Sequence, residues 1–255
     1  MVPQQVPATT AGEVPTISGP DLTKRDAFEP GPSRNVQAIE VGLFLSLIVP
    51  SMILSLFVIG QGKVGFVITA LAIIARDLAL TGLILFFLWR NGEPVKRIGW
   101  TSRNCAKCVA LGILLFPLLF VGAMLLEFVF LHLGLSAPST PQPSSLSFTG
   151  WIEMPLAVVL VIVVAIAEET IFRGYLILRF VAIGRNVPAA ALLSSFVFSL
   201  GHGYEGSAGL ATVGIMGLVF AVVYLRTGSL IAPIIMHFLQ DFISIVLAPM
   251  IGAGH

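Results

Sequence analysis

Glu168, Glu169 and Arg173 close a long apolar run, MPLAVVLVIVVAIAEETIFRGYLILRF (residues 154–180). An ionisable side chain at the centre of a membrane-grade helix costs about 2.5–3.5 kcal/mol. Three such groups so close together therefore mark function by default. On an α-helix Glu169 and Arg173 are four apart and share a face, so they can form an ion pair. Glu168 is rotated about 100° away and lacks that partner. One carboxylate reads as structural and the other as free for chemistry.

Two further stretches carry compatible groups. SSFVFSLGHGY sets Phe198 one helical turn before His202, and APIIMHFLQDF sets His237 and Asp241 four apart on one face. A desolvated glutamate is a competent general base for water. Histidines can share the proton traffic or donate to a developing oxyanion. Glu, His, His and Asp could also hold a divalent metal such as zinc. HExxH is missing, as is any GxSG serine signature. Hydrolysis by activated water is the chemistry left. A proton-coupled transporter would use similar residues, and a non-proteolytic scaffold could use an ion pair to join helices. Against transport, the first half offers no counterpart that would signal an inverted repeat.

Other polar residues read as structural. Arg76 and Asp77 are neighbours in one span, do not face each other on a helix, and are expected to pair elsewhere. Gly209, Gly214 and Gly217 point to close helix packing. Cys105 and Cys108 form a lone CAKC without a second pair, and read as two thiols in a basic loop.

The elements that must position these groups are membrane spans. The chain has 255 residues, is 56% hydrophobic and only 11% charged, where a soluble domain carries about 25% charge. A net charge of +1 excludes the basic face that nucleic acid requires. Strand alternation is missing, which excludes an outer-membrane barrel. The expected fold is all-α, a polytopic bundle of about seven transmembrane helices. Apolar windows place spans near 41–60, 66–89, 109–134, 154–173, 187–204, 208–225 and 230–250, with 174–185 a helical extension of the fourth. Residues 1–36, rich in proline and poor in large apolar residues, read as a disordered cytoplasmic tail. Residues 37–149 form the N-terminal helices, and 150–255 the catalytic core.

Orientation follows from lysine and arginine. Eleven basic residues, among them Lys96, Arg97, Arg179 and Arg185, fall on one side and only Lys63 on the other. The N-terminus is expected in the cytoplasm and the C-terminus outside, in a multi-pass protein of the cell (inner) membrane. One geometric conflict follows. With upright spans of these bounds, His202 lies about 15 Å along the normal from Glu168, at 1.5 Å per residue. A tilted or shifted fifth span, or a deep turn, is needed to close the site.

Glu168, Glu169 and Arg173, with FRGYL following, match an EExxxR motif; Phe198 and His202 match FxxxH; His237 and Asp241 match HxxxN in its rarer HxxxD form. In that order on membrane spans, the three resemble the CAAX protease and bacteriocin-processing (CPBP, or Abi) intramembrane endopeptidases, which include the Ras-converting CAAX prenyl endopeptidase. The resemblance covers roughly residues 150–245. It implies that Glu168 activates water with His202 while His237 and Asp241 stabilise the oxyanion. It also implies a glutamate-dependent mechanism with no cofactor, a divalent metal such as zinc being the alternative. The implied partner is a membrane-associated peptide or protein substrate, within the lipid bilayer. The chain lacks evident eukaryotic features, which fits the bacterial branch.

Overall fold

The computed structural model describes residues 31–55, 65–102, 104–137, 148 and 150–252. Most of the expected tail and most of the loop between the third and fourth spans lie outside these residues. The described chain is helical throughout and contains no strand. It forms α1 (Arg34–Ser55), α2 (Phe66–Arg90), α3 (Cys105–His132), α4 (Met154–Glu168), α5 (Ile177–Gly184), α6 (Val187–Leu200), α7 (Gly206–Thr227), α8 (Ile231–Asp241) and α9 (Ala248–Gly252). Two wider π-helical segments, Glu169–Leu176 and Phe242–Leu247, join α4 to α5 and α8 to α9. Six helical stretches among the described residues are long and apolar enough to cross a membrane, and Val187–Leu200 is a shorter seventh. The protein is a multi-pass membrane bundle.

Its outer surface shows how the sequence selects this solvent. Leu114, Leu118 and Leu125 on α3 and Ile68 on α2 are more than half exposed, as suits side chains facing lipid rather than water. The interior is packed around the fourth span, where Ile171, Phe172, Tyr175 and Leu176 are buried against α1, α2 and α6.

The span bounds differ from expectation in ways that matter. Helix α1 starts at Arg34, so the last residues assigned to the tail are helical. Cys105 and Cys108 belong to the first turn of α3 rather than to a loop; both are free, and Cys108 packs in the core. The fourth span and its expected helical extension form one unbroken stretch from Met154 to Gly184, 31 residues. The fifth is cut short: α6 has 14 residues, about 21 Å at 1.5 Å per residue, against roughly 30 Å of hydrocarbon.

A tight reversal joins the two. Arg185 takes the left-handed conformation (φ 55) and its amide closes on the Val181 carbonyl at 2.7 Å, the usual way to end a helix. The Asn186 side chain then accepts from the Ala189 amide at 2.9 Å, and Pro188 occupies the first turn of α6. A second reversal, a 3-10 turn at Gly203–Glu205, leads from α6 into α7.

The loop between α2 and α3 folds onto the bundle. Arg179 is 1% exposed and donates to Glu93, while Glu93 also accepts from Arg97 at 2.8 Å. Glu40 lies 3.5 Å from Arg179, and accepts from the Asn91 amide at 2.9 Å. Arg179 therefore counts as a buried structural charge, not as a loop cation. Low exposure is possible because every charge in the cluster has an opposite neighbour.

Candidate active site

The reversal at Arg185 resolves the height of His202. Glu168 and His202 each lie 17 residues from Arg185, in opposite directions along the chain. Phe172 and Phe198 each lie 13 away, and their rings meet at 5.1 Å. The Ser194 hydroxyl donates across the same hairpin to the Phe172 carbonyl at 2.5 Å. These contacts set Phe172 beside Phe198, and Glu168 and His202 each lie four residues farther from the reversal, at the same end of the hairpin. The expected offset assumed upright spans and a fifth span running to residue 204. His202 itself sits past the end of α6, at the deep turn, and not within a span helix.

The two glutamates part company as the helical geometry requires. Glu169 is fully buried, and its Oε1 accepts from Arg173 Nη1 at 2.9 Å. Arg173, 1% exposed, also donates to the Gly217 carbonyl at 3.2 Å, and its guanidinium lies 4.2 Å from the Phe198 ring centre. Gly217 is required there: a Cβ would come 3.0 Å from Arg173 Nη2 and from Phe198. Of the three glycines read as packing positions, this one carries a clear contact to the site.

The wider winding of Glu169–Leu176 has local causes. The Thr170 hydroxyl donates back to the Ile166 carbonyl at 2.7 Å, a bond that loosens an α-helix. Gly174 lets the α2–α3 loop lie directly on the helix, since a Cβ would meet the Ile98 carbonyl at 2.8 Å. Such segments concentrate at functional sites, and all eight residues of this one are buried.

His237 on α8 completes the polar centre. Its Nδ1 lies 2.9 Å from Glu169 Oε1, and its Nε2 faces Asp241 Oδ2 at 3.4 Å and Glu168 Oε2 at 3.8 Å. A carboxylate paired with arginine can only accept, so His237 Nδ1 is the donor. Phe220 stacks on the His237 ring at 5.6 Å, and Phe198 meets it edge-on at 5.9 Å. On the other side Phe198 touches the His202 ring, at 4.9 Å. His202 Nδ1 is 3.3 Å from the Phe198 carbonyl. A carbonyl also only accepts, so His202 Nδ1 is the donor in this contact.

Arg173, His202 and His237 thus meet at the Phe198 ring, and Glu168, Glu169 and Asp241 face His237. Glu168 and Asp241 are the more open carboxylates, with side chains 16% and 18% exposed. Glu168 Oε2 has no hydrogen-bond partner among the described residues. As for a metal, the described residues contain no group of three or more His, Cys, Asp or Glu side chains placed to hold one.

Three features were not readable in advance. Gly217 supplies a carbonyl as well as space. Phe220 supplies a stacking face, and nothing in its local sequence distinguishes it from any apolar residue. Arg76 and Asp77, expected to pair elsewhere, pair with each other: Arg76 Nε donates to Asp77 Oδ1 at 2.8 Å. The long arginine stem curls back over its neighbour, which the directions of the two Cβ atoms alone do not forbid.

Residues 150–243 match the family model described as Type II CAAX prenyl endopeptidase Rce1-like. The match contains all seven motif residues and leaves α1 to α3 outside, so the resemblance read from the three motifs is borne out over the C-terminal part. No curated protein and no solved structure matches the chain.

Proposed function

We propose that this protein is an intramembrane endopeptidase that hydrolyses a peptide bond of a membrane-associated protein or peptide. The observation that carries the reading is the division between adjacent glutamates. Glu169 is fully buried and held through Oε1 by Arg173 and His237, while Glu168 makes neither bond and its side chain stays 16% exposed in the same polar centre.

Glu168 takes a proton from water as the water oxygen attacks the peptide carbonyl. His202 Nε2 shares that proton and passes one to the departing amine. The tetrahedral oxyanion is met by His237 Nε2 and by Asp241, which donates with its carboxyl protonated. With Nδ1 committed to Glu169, His237 can donate from Nε2 only when both ring nitrogens are protonated. The hydrophobic walls exclude bulk water and strengthen each of these interactions.

The family description names prenylated substrates, and the setting within a bilayer suits a lipid-modified chain. In the proposed topology the N-terminus is in the cytoplasm of a cell whose inner membrane holds the protein. Comparing membrane proteomes carrying the wild type and Glu168→Gln tests the function directly. Fragments released only with Glu168 intact are expected; identical peptide patterns would refute the proteolytic reading. A farnesylated peptide and its unmodified twin, offered to purified protein in bilayers, then separate prenyl recognition from general endopeptidase action.

A further inference from the structure

Asp77 lies within the second span, yet it is 1% exposed and turned toward the fourth span rather than to lipid. Its Oδ1 is bonded to Arg76, whose own side chain is 53% exposed. Its Oδ2 has no hydrogen-bond partner among the described residues, and the same is true of Glu168 Oε2. Both carboxylates line one cavity of about 80 Å³, walled by Leu47, Ile48 and Met52 of α1 and by Leu80 of α2. Asp77 also interacts electrostatically with Glu168 and His237.

A buried carboxylate oxygen without a donor is costly, and here two share one space. A water molecule needs roughly 10–15 Å³ and two to four polar partners, and the cavity meets both conditions. Two acceptors on one cavity call for a ligand with two protons to give. Water is the smallest that qualifies.

We propose that Asp77 is a further catalytic residue, holding the water that Glu168 activates. The water donates one proton to Glu168 Oε2 and the other to Asp77 Oδ2, so its oxygen is turned toward the substrate. On attack, the water O–H bond directed at Glu168 breaks with its proton moving to Glu168, the new C–O bond forms, and the second proton stays on the attacking oxygen, hydrogen-bonded to Asp77. The transferred proton later goes to the amine as the C–N bond breaks, so no outside reactant is needed. Arg76 supplies the counter-charge from the more open side. This assignment rests on the hydrolytic reading above and adds a residue from outside the matched region.

The test uses the full chain in bilayers and a peptide spanning a cleavage site that depends on Glu168. Asp77→Asn should lower kcat by about 10- to 100-fold, the scale of a misplaced reactant, with KM and melting temperature near wild type. Arg76→Gln combined with Asp77→Asn should be as slow as Asp77→Asn alone. Recovery of wild-type kcat in the double variant would show that Asp77 only neutralises Arg76, and would overturn the proposal. So would an unchanged kcat in Asp77→Asn.

A second measurement needs no substrate. X-ray footprinting labels side chains beside bound water, and Met52 should be oxidised faster than the fully buried Met236. The Met52 rate should fall several-fold in Asp77→Asn or Asp77→Leu, whichever melts like wild type. Equal rates for Met52 and Met236, or a Met52 rate indifferent to Asp77, would refute the bound water even if the protein proved not to be a protease. Loss of the Glu168-dependent fragments alone would refute the protease and leave the water standing.

Discussion

His237 Nδ1 donates to Glu169 Oε1 at 2.9 Å, on the same oxygen that accepts from Arg173. This shared atom ties α8 to the π-helical segment and fixes the tautomer of the ring. It also anchors one glutamate in the buried interior and leaves its neighbour outside that pairing.

Glu168→Gln should reduce activity by about 10²- to 10⁴-fold, the usual range for loss of a general base, with little change in melting temperature. Arg173→Ala should instead destabilise the protein by about 3–5 kcal/mol, because it strands the buried Glu169. Glu169→Gln should lower both activity and stability. Denaturation of the purified variants in one detergent measures this, and equal destabilisation by Glu168→Gln would sink the division of roles.

Asp241 stands where the related motif more often has asparagine. Its Oδ2 is 3.4 Å from His237 Nε2. An ionised carboxylate only accepts and would repel an oxyanion, whereas an amide can donate. Asp241→Asn is therefore expected to keep most of the activity. A drop of tenfold or more in kcat would show that the charge itself is needed, to hold a protonated His237 or a metal.

The cluster of Arg179, Glu40 and Glu93 predicts an effect on stability without chemistry. Arg179→Ala leaves two nearly buried carboxylates facing each other, at a cost of about 3–5 kcal/mol. The kcat of the fraction that remains folded should match wild type. Arg179→Lys should recover only part of the stability, since an ammonium cannot reproduce the forked contact to Glu93. An unchanged melting temperature for Arg179→Ala would contradict the cluster as described.

Proteolysis that relies on Glu168 as the base should survive exhaustive chelation, and the purified protein should carry no stoichiometric zinc. Inhibition by chelator, reversed on adding metal, would reassign Glu168, His202 and His237 as ligands.

Single cysteines at Lys96 and at Ile152, both exposed, test the orientation in a background lacking Cys105 and Cys108. They should react with a membrane-impermeant reagent from opposite faces, Lys96 from the cytoplasm. Labelling of both from one side would break the charge-based topology.

The membrane class was legible from composition, and the local pairs were legible from spacing. Glu169 with Arg173 and His237 with Asp241 are each four apart on one helix. Helical periodicity acts over a single turn and needs no knowledge of neighbours. The same local geometry correctly set Glu168 apart from its neighbour. Everything that joins helices depended on register, which spacing does not encode. Glu169 and His237 are 68 residues apart, and they meet only because α8 packs beside the π-helical segment. Phe198 meets Phe172 because the chain reverses at Arg185, and His202 lies in a turn because α6 stops after 14 residues. Apolar windows blur such ends, since a helix that continues past the bilayer and one that turns within it look alike in hydropathy. Asp77 faces Glu168 rather than lipid for the same reason. The direction of a buried side chain is set by which helix lies against it, and here α2 lies against the fourth span.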